Sequence, residues 1–296
     1  MPPQVTAILP VYNGAALLRR SIESALGQTR PPAELIVVDD GSTDATSRIA
    51  RSYGSRIHYF HQPNRGAAAA RNFGAQQAAT EWIAFLDHDD EWLPEKLECQ
   101  LPLLEQNPAA RLAYSAFWSF ALDGSCRREH LPLRRLWPTI RLRNPFPPSV
   151  VIVRRSEFLA LGGFNETLRG ASCEDWEFLA RFLAAHPAAE TAEPLTNYYE
   201  TAASGSRDYR RMLPNTLSIV ENPLLSGLSP VGRAFWRRRI KSAVYYRAAV
   251  SAREAGDPAA RYLWQSFLEW PFPDVSPQRF KTMAVQLFKH RPSLSA

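Results

Sequence analysis

A cluster of carboxylates near residue 88 is the part of this chain whose residue types point most directly to chemistry. Asp87, Asp89 and Asp90 occupy three of four consecutive positions, with His88 between them. Carboxylates this close repel one another unless a cation neutralises them. A divalent ion holding a diphosphate would do so, since Mg²⁺ takes one or two carboxylates together with phosphate oxygens. The alternative is an acidic turn that caps the next helix, and these residues alone do not separate the two interpretations.

The element that must position this cluster is the apolar run before it. Residues 82–86 are apolar without interruption, which predicts a strand buried on both faces of a parallel sheet. Open α/β sheets bind their ligands just beyond the carboxyl ends of such strands. Asp87 and Asp89 are two positions apart, so at an extended strand end we expect their side chains to point the same way.

Two further acidic pairs lie at predicted element boundaries. Asp39 and Asp40 follow another apolar run, and Glu174 and Asp175 begin a stretch of helical periodicity. No G-x-G-x-x-G follows the first predicted strand and no G-x-x-x-x-G-K-[ST] occurs, so a metal rather than a glycine loop would hold phosphate. Metal, nucleotide and a distant carboxylate base are the parts needed for attack on an activated sugar or phosphate.

The order of the predicted elements indicates an α/β fold. Strand-like runs at 5–9, 34–38, 57–60 and 82–86 alternate with helical stretches, of which Ser42 or Thr43 would cap the second. Short connections of this kind predict right-handed βαβ units and a mainly parallel sheet flanked by helices. Further strands are predicted at 112–120, 149–153 and 195–199, with a hairpin at Asp123-Gly124 and helices from Tyr209 onward. Residues 126–144 carry no pattern that assigns them.

Composition indicates a globular protein of a reducing compartment. The 296 residues are 45% hydrophobic and 22% charged, the proportions of a soluble globular protein. No signal peptide begins the chain and no apolar stretch reaches the ~20 residues that span a bilayer, so we expect a cytoplasmic location. Cys99, Cys126 and Cys173 are odd in number and widely spaced, which argues against a disulfide framework or a zinc site.

Positive charge is concentrated in the last part of the chain. The net charge is +6, and from Val231 to Ala296 twelve Lys or Arg stand against four Asp or Glu. Between Arg279 and Arg291, Phe280, Met283, Ala284, Leu287 and Phe288 recur at helical spacing. Further basic residues (Arg237, Arg238, Arg239, Lys241) and aromatic residues (Trp264, Phe267, Trp270, Phe272) precede this stripe. We expect either peripheral docking on an anionic membrane or packing on the catalytic domain or a second subunit.

Ordered motifs over residues 5 to about 205 resemble glycosyltransferase family 2. The motifs are Ile8-Leu9-Pro10-Val11-Tyr12-Asn13, Ser24-Ala25-Leu26-Gly27-Gln28-Thr29, Val37-Val38-Asp39-Asp40-Gly41-Ser42-Thr43-Asp44, Asn64-Arg65-Gly66 with Ala70-Arg71-Asn72, Phe85-Leu86-Asp87-His88-Asp89-Asp90, Gly162-Gly163-Phe164-Asn165-Glu166 and Glu174-Asp175. Each alone is weak, and the ordered set is specific for the family. The resemblance implies an inverting enzyme of GT-A fold that uses a nucleotide sugar.

The resemblance also implies roles for the matching residues. The nucleotide-binding set would be Pro10, Tyr12, Asn13, Asp39, Asp40, Arg71 and Asp87, with Tyr12 stacked on the base and Asp40 accepting from a uracil N–H. Asp89 would ligand Mn²⁺ or Mg²⁺, and Asp87 would contact ribose or the metal. Asp175 would deprotonate the acceptor hydroxyl, with Glu174 beside it. The structural alternatives are Tyr12 as a core residue, Arg71 as a solvated helix residue and Glu174-Asp175 as a capping pair.

The sequence departs from the family pattern in two places. Tyr199 and Thr201 stand where many members carry Arg and His, so closure over the diphosphate would use other groups, such as Arg207 or Arg210. The Q-x-x-R-W signature of processive synthases is absent, which favours a single transfer.

We therefore expect a metal-assisted glycosyltransferase that moves a sugar from a nucleotide sugar, first of all a UDP-sugar, to a glycan or lipid-linked acceptor of the cell envelope. A GT-A domain would span 1–208, with a nucleotide-binding half to about 110 and an acceptor half from about 111, followed by a basic helical region at 209–296. The alternatives are a non-catalytic nucleotide-sugar-binding module and a sugar-phosphate nucleotidyltransferase, whose Gly-rich, Arg-containing loop is missing at Pro10–Gly14. No nucleic-acid partner is expected, and the sequence does not name the donor sugar, acceptor, metal or oligomeric state.

Overall fold

The computed structural model describes residues 3–168, 173–201 and 208–272. The chain divides into two compact units. The first, called the sheet unit below, comprises Met1–Ile140 and Asn144–Ser204. The second, called the helical unit, comprises Arg141–Arg143 and Gly205–Ala296.

Nine strands form one sheet in the described part of the sheet unit. In chain order they are β1 (Val5–Val11), β2 (Glu34–Asp39), β3 (His58–His61), β4 (Trp82–Phe85), β5 (Glu91–Trp92), β6 (Leu112–Phe120), β7 (Cys126–Glu129), β8 (Val151–Arg154) and β9 (Ala188–Tyr199). Their order across the sheet is β3-β2-β1-β4-β8-β6-β9-β5, and β7 pairs with β6.

The first half of this sheet is parallel, as the apolar runs predict. β1 pairs in parallel with β2 and β4, and β2 pairs in parallel with β3. Ile8, Val37 and Phe85 are completely buried, as a strand covered on both faces requires. Because Val11 lies opposite Asp39 and Ile8 lies opposite Phe85, the residues that follow β1, β2 and β4 meet at one edge of the sheet.

Helices connect the strands. In chain order they are α1 (Leu18–Leu26), α2 (Thr46–Arg51), α3 (Ala67–Gln77), α4 (Lys96–Gln106), α5 (Leu133–Leu142), α6 (Arg155–Ala160) and α7 (Glu174–Ala185). α3 packs so closely on the sheet that a Cβ on Gly74 would lie 2.5 Å from Ile8 Cγ2. The absence of a side chain at position 74 therefore lets α3 lie directly against the strands that end in acidic residues.

The second half of the sheet is antiparallel except for the β6–β9 pair. The predicted strand at 112–120 and the hairpin at Asp123-Gly124 are confirmed by β6 and β7. The strand predicted at 149–153 begins only at Val151, because Pro148–Val150 forms a 3₁₀ turn. The last strand begins at Ala188 rather than at 195. The confirmed α/β class therefore takes the form of a mixed sheet whose first half is parallel.

Two local expectations are corrected. Ser42 and Thr43 do not cap α2, which begins at Thr46 and has Ala45 as its N-cap. Both residues bond to the loop after β1 instead: Asn13 N–H donates to Ser42 Oγ, and Thr43 N–H donates to Asn13 Oδ1. The unassigned residues 126–144 contain β7 and α5, whose prolines and arginines obscure any simple period.

The helical unit contains α8 (Tyr209–Ser218), α9 (Pro230–Glu254) and α10 (Ala260–Glu269). Two serines join α9 to α10, because Ser242 Oγ donates to Ser266 C=O over 2.7 Å and Ser266 Oγ donates to Ser242 C=O over 2.8 Å. Among the described residues, no helix has both the length and the apolar character needed to cross a membrane. The predicted stripe between Arg279 and Arg291 lies outside the described residues.

Candidate active site

The three clustered carboxylates lie on a turn rather than on an extended strand end. β4 ends at Phe85, and Asp90 N–H donates to Asp87 C=O over 3.0 Å. The expectation of an extended conformation at Asp87 and Asp89 is therefore wrong, because the backbone reverses at this point. Asp87 and Asp89 are half-buried, whereas Asp90 is only 1% exposed.

Asp90 holds the turn in place. Its Oδ2 accepts from Ser149 Oγ and its Oδ1 accepts from Tyr199 N–H. Ser149 Oγ also accepts from Asp87 N–H over 3.1 Å, so one buried hydroxyl joins both ends of the turn. Burial, followed by the charges of Asp87 and Asp89, raises the pKa of Asp90 well above its ordinary value. The third carboxylate of the cluster thus supports the other two.

Side chains of α1 hold the backbone of the same turn. Ser21 Oγ donates to the carbonyls of His88 and Asp90, and Arg20 Nη2 donates to the carbonyl of Asp89 over 2.5 Å. The Arg20 guanidinium also lies 4.0 Å from the centre of the Tyr199 ring. These contacts satisfy carbonyl groups that would otherwise be costly to bury, and they fix the direction in which the carboxylates leave the backbone.

Arg71 connects the acidic turn to the start of α7. It is 5% exposed, its Nη2 donates to Asp87 Oδ1 over 2.5 Å, and its Nη1 lies 3.5 Å from Glu174 Oε1. Burial acts to lower the arginine pKa, but the charges of Asp87 and Glu174 outweigh it and raise that pKa. The alternative of a solvated helix residue is wrong. Arg71 is a buried, fixed positive charge between two acidic segments that lie far apart in sequence.

The loop after α6 packs against the Arg71 side chain. The Phe164 ring lies 5.3 Å from the Arg71 guanidinium. The Phe164 backbone is clamped by Asn72, whose Oδ1 accepts from Phe164 N–H over 2.8 Å and whose Nδ2 donates to Phe164 C=O over 2.9 Å. Gly163 has φ +66° and would clash with Asn72 if it carried a Cβ. The Gly-Gly-Phe segment is therefore a support for Arg71.

Asp175 lies in the first turn of α7, next to Glu174. Its Oδ1 accepts from Trp176 N–H over 2.7 Å, and its Oδ2 accepts from Asn144 Nδ2 over 2.6 Å. Burial, followed by the charge of Glu174, raises the pKa of Asp175 to about 7. A carboxylate whose pKa lies near neutrality is suited to general-base chemistry. Within the described residues, which leave out the segment directly before α7, the N-cap Cys173 makes no side-chain capping hydrogen bond.

The predicted nucleotide-binding residues lie at the ends of β1 and β2. Pro10 is buried in β1, and Tyr12 is 48% exposed, so the alternative of Tyr12 as a core residue is wrong. Asn13 adopts φ 49° and accepts from Thr43 N–H. Its side chain thus ties the loop after β1 to the turn after β2.

Asp39 and Asp40 differ in their hydrogen bonding. Asp39 is completely buried and accepts from Ser42 N–H and Tyr59 O–H. Burial acts to raise its pKa, but hydrogen bonds from the Ser42 side chain, from Tyr59 and from the Ser42 backbone outweigh it and the pKa is lowered. Asp40 Oδ1 accepts from Gln62 Nε2 and Arg65 N–H, and its Oδ2 accepts from Gly66 N–H. A carboxylate has about four acceptor positions, so the described residues leave one position of Asp40 without a donor, on Oδ2.

The residues present fit a hard divalent cation. Burial, followed by the charge of Asp87, raises the pKa of Asp89, and a cation would relieve the repulsion between these two carboxylates. Within residues 3–168, 173–201 and 208–272, no three His, Cys, Asp or Glu side chains are grouped to hold a metal. Two carboxylates, those of Asp87 and Asp89, match the number that a hard ion takes when phosphate and water supply its remaining ligands.

Several residues at this site were not predicted to act there. Asn144 contacts Asp175, Ser149 joins Asp87 to Asp90, and Phe164 underlies Arg71. Asn144 lies in the unassigned stretch and gives no signal in the sequence. Ser149 was predicted only as a strand residue.

Of the groups expected to close over the diphosphate, Arg207 lies outside the described residues and Arg210 is bonded to Asp257 over 2.7 Å.

Comparison with known proteins gives two family matches and several relatives. The model described as "Glycosyl transferase family 2" matches residues 6–159, and that described as "Glycosyltransferase like family 2" matches residues 137–221. An uncharacterized glycosyltransferase of Rickettsia felis is 33% identical over 195 residues, which is 62% of this chain and 32% of that protein. The putative teichuronic acid biosynthesis glycosyltransferase TuaG of Bacillus subtilis is 38% identical over 127 residues, 42% of this chain and 50% of TuaG. The chain thus spans about a third of the first of these relatives and half of the second.

Two solved structures share the fold. Staphylococcus aureus TarS 1-349 in complex with UDP-GlcNAc superposes with a TM-score of 0.64 at 18% identity, over 90% of this chain and 79% of that one. The mannosyltransferase PcManGT from Pyrobaculum calidifontis, in complex with GDP-Man and Mn²⁺, superposes with a TM-score of 0.62 at 18% identity, over 97% of this chain and 86% of that one. These similarities confirm the predicted GT-A-type fold. The first family model alone matches residues 6–159, which is more than half of this chain, so the chain belongs to glycosyl transferase family 2.

Proposed function

We propose that this chain is an inverting glycosyltransferase that moves a sugar from a nucleotide sugar, first of all a UDP-sugar, to a hydroxyl acceptor. One observation carries the proposal. Arg71 bonds to Asp87 on the acidic turn and lies beside Glu174, next to Asp175, whose pKa is raised to about 7. A base and a candidate metal-binding turn are thereby linked through one buried cation. This combination suits removal of a proton from a hydroxyl beside a departing diphosphate.

The nucleotide would lie at the ends of β1 and β2. Tyr12 presents an exposed ring for stacking on the base, and Asp40 keeps one acceptor position for a base N–H while three other donors hold its carboxylate still. Asp39, Pro10 and Asn13 would shape this pocket. TarS binds UDP-GlcNAc and PcManGT binds GDP-Man, which supports a nucleoside diphosphate sugar as the donor.

Asp89 and Asp87 would hold the divalent metal, Mn²⁺ or Mg²⁺, and Asp87 would also contact the ribose. When bound, that ion supplies positive charge against the diphosphate leaving group. Arg71 adds a second fixed positive charge at the same place. The complex of PcManGT with Mn²⁺ supports a divalent ion here.

Asp175 would take the proton from the acceptor hydroxyl as its oxygen attacks the anomeric carbon from the face opposite the diphosphate. Asn144 holds the Asp175 carboxylate by a hydrogen bond to Oδ2. Burial first, and the charge of Glu174 second, keep the pKa of Asp175 high enough for the base to be effective. Attack from the opposite face inverts the anomeric configuration. TuaG is described as a teichuronic acid biosynthesis glycosyltransferase, which supports an acceptor in cell-envelope glycan synthesis. This acceptor would be either a glycan or a lipid-linked saccharide.

The catalytic part would span residues 1–208, with the nucleotide bound by the half up to about residue 110 and the acceptor by the half from about 111. The helical region from 209 would serve localisation or assembly. The described sheet unit ends near the same place, since the division between units falls after Ser204.

The experiment is a screen of nucleotide sugars, with Mn²⁺ and candidate hydroxyl acceptors, for release of nucleoside diphosphate and pyrophosphate. We expect UDP release without pyrophosphate. Asp175→Asn should leave UDP affinity within a few-fold while lowering kcat by about 10²–10⁴, and the exposed Asp123→Asn should match wild type. Pyrophosphate release would identify a nucleotidyltransferase, and binding without turnover a non-catalytic module. Joint loss of UDP binding and turnover in Asp175→Asn would make Asp175 a structural residue.

A further inference from the structure

Exposed apolar side chains are concentrated at one end of the helical unit. Of eight large hydrophobic residues that are strongly exposed in the described chain, five lie on α9, on α10 or just after α10: Val231, Phe235, Trp264, Leu268 and Phe272. Val231 is 80% exposed and Leu268 is 72% exposed. Contiguous exposed apolar surface on a folded protein marks a contact with another protein or with a membrane.

All of these residues except Trp264 form one surface together with Trp270, because the start of α9 lies beside the end of α10. The rings of Phe235 and Trp270 are 5.1 Å apart, those of Trp270 and Phe272 are 5.2 Å apart, and Arg238 Nη2 donates to Leu268 C=O over 2.9 Å. Val231 is one helical turn before Phe235. We call this surface the aromatic end, defined by Val231, Phe235, Leu268, Trp270 and Phe272.

The same end is strongly basic. Five Lys or Arg and no Asp or Glu occur in residues 230–241: Arg233, Arg237, Arg238, Arg239 and Lys241. The Arg239 guanidinium lies 5.3 Å from the Phe235 ring and 5.7 Å from the Trp270 ring. Glu221 offsets one of these charges, through two hydrogen bonds from Arg237. Glu269, between Leu268 and Trp270, adds a second negative charge, so positive charge stays in excess. Exposed aromatic and aliphatic side chains interleaved with cations are the pattern of interfacial membrane contacts.

We propose that the aromatic end docks reversibly on an anionic lipid surface. Charge complementarity favours this occupant over a second copy of the chain. A symmetric contact would place the basic end of one copy against the same end of the other, and like charges would oppose each other. An anionic leaflet instead attracts each nearby cation, and its interface accepts the exposed rings and aliphatic groups. This inference does not depend on the proposed transferase activity, because neither the base nor the acidic turn takes part.

The test uses the full chain and co-sedimentation with vesicles of phosphatidylcholine, with and without phosphatidylglycerol, at low and high salt. We expect binding only to the vesicles that contain phosphatidylglycerol, and weaker binding at high salt because screening shortens the range of the attraction. Arg233→Gln with Arg238→Gln should weaken the partition coefficient roughly tenfold or more. Val231→Ser with Leu268→Ser should also weaken it roughly tenfold, since both side chains are exposed and can change without loss of the fold.

Matched controls lie elsewhere on the chain. Leu122→Ser with Leu133→Ser replaces two other exposed leucines, 50% and 41% exposed, and should leave vesicle binding unchanged. Absence of binding to phosphatidylglycerol vesicles at low salt would overturn the proposal. Equal loss of binding in the control pair would do so too. A dimer that dissociates only in the Val231 and Leu268 double variant, without vesicle binding, would show instead that the aromatic end joins two proteins.

Discussion

Replacing Glu174 with glutamine tests how the buried acidic cluster sets the working pH of the proposed base. Glu174 and Asp175 begin α7, and the pKa of Asp175 is raised to about 7, by burial first and by the charge of Glu174 second. Glu174→Gln keeps the shape of the side chain and removes its negative charge. The ionised form of Asp175 then becomes more stable, so its pKa falls.

The size of the change follows from the charges around Glu174. Two unit charges about 4 Å apart interact by about 4 kcal/mol at an effective dielectric constant near 20. Arg71 Nη1 lies 3.5 Å from Glu174 Oε1 and offsets part of this field at Asp175. We therefore expect a loss of about 1–2 kcal/mol of repulsion. At about 1.4 kcal/mol per unit, the pKa of Asp175 falls by about one unit.

The assay is the pH dependence of kcat/KM for UDP release at saturating metal, over about pH 5 to pH 9. A base acts in its ionised form, so the rate falls below its pKa. The acidic limb should move from about pH 7 in wild type to about pH 6 in Glu174→Gln. Glu105→Gln, at an exposed position on α4, should leave the limb unchanged. An unchanged limb in Glu174→Gln, or a shift to higher pH, would refute the coupling between these carboxylates.

Three further predictions concern the metal, the supports of the site and the core. Asp89→Ala should abolish metal-dependent UDP binding, measured by calorimetry, and cut turnover by about 10³; full activity in EDTA would contradict it. Asn72→Ala should lower the free energy of unfolding by about 2 kcal/mol in urea, because two buried hydrogen bonds to Phe164 are lost, whereas the exposed Asn107→Ala should change it by less than about 0.5 kcal/mol. Burial lowers the pKa of Lys96 to about 7, so the unfolded chain binds more protons between about pH 7 and 10 and stability rises with pH. Lys96→Met should remove about 2 kcal/mol of that rise between pH 7 and pH 9, and equal pH slopes in both proteins would show that burial does not lower the pKa of Lys96.

The sequence by itself determined the parallel half of the sheet and the places where acidic residues leave it. Residues 7–9, 35–38 and 82–86 are apolar without alternation, which is typical of a strand covered on both faces. The acidic residues then follow at the strand ends, because a carboxylate can be buried only where hydrogen bonds satisfy it, as they do for Asp39. Both features depend only on residues that are neighbours in the chain, so they can be predicted from the sequence. The positions of Asp39, Asp40, Asp87 and Asp89 at one edge follow from them.

The tertiary structure alone decided which of these carboxylates supports the turn and which residue completes the base. Asp89 and Asp90 are neighbours of the same type, but Asp90 is buried against Ser149 and Tyr199, which come from distant segments. Asn144 reaches Asp175 across 31 positions of sequence, from a stretch without a recognisable period. The physical reason is the same in both cases. A hydrogen bond or ion pair depends on which groups burial leaves without water, and that is settled only when distant segments pack together.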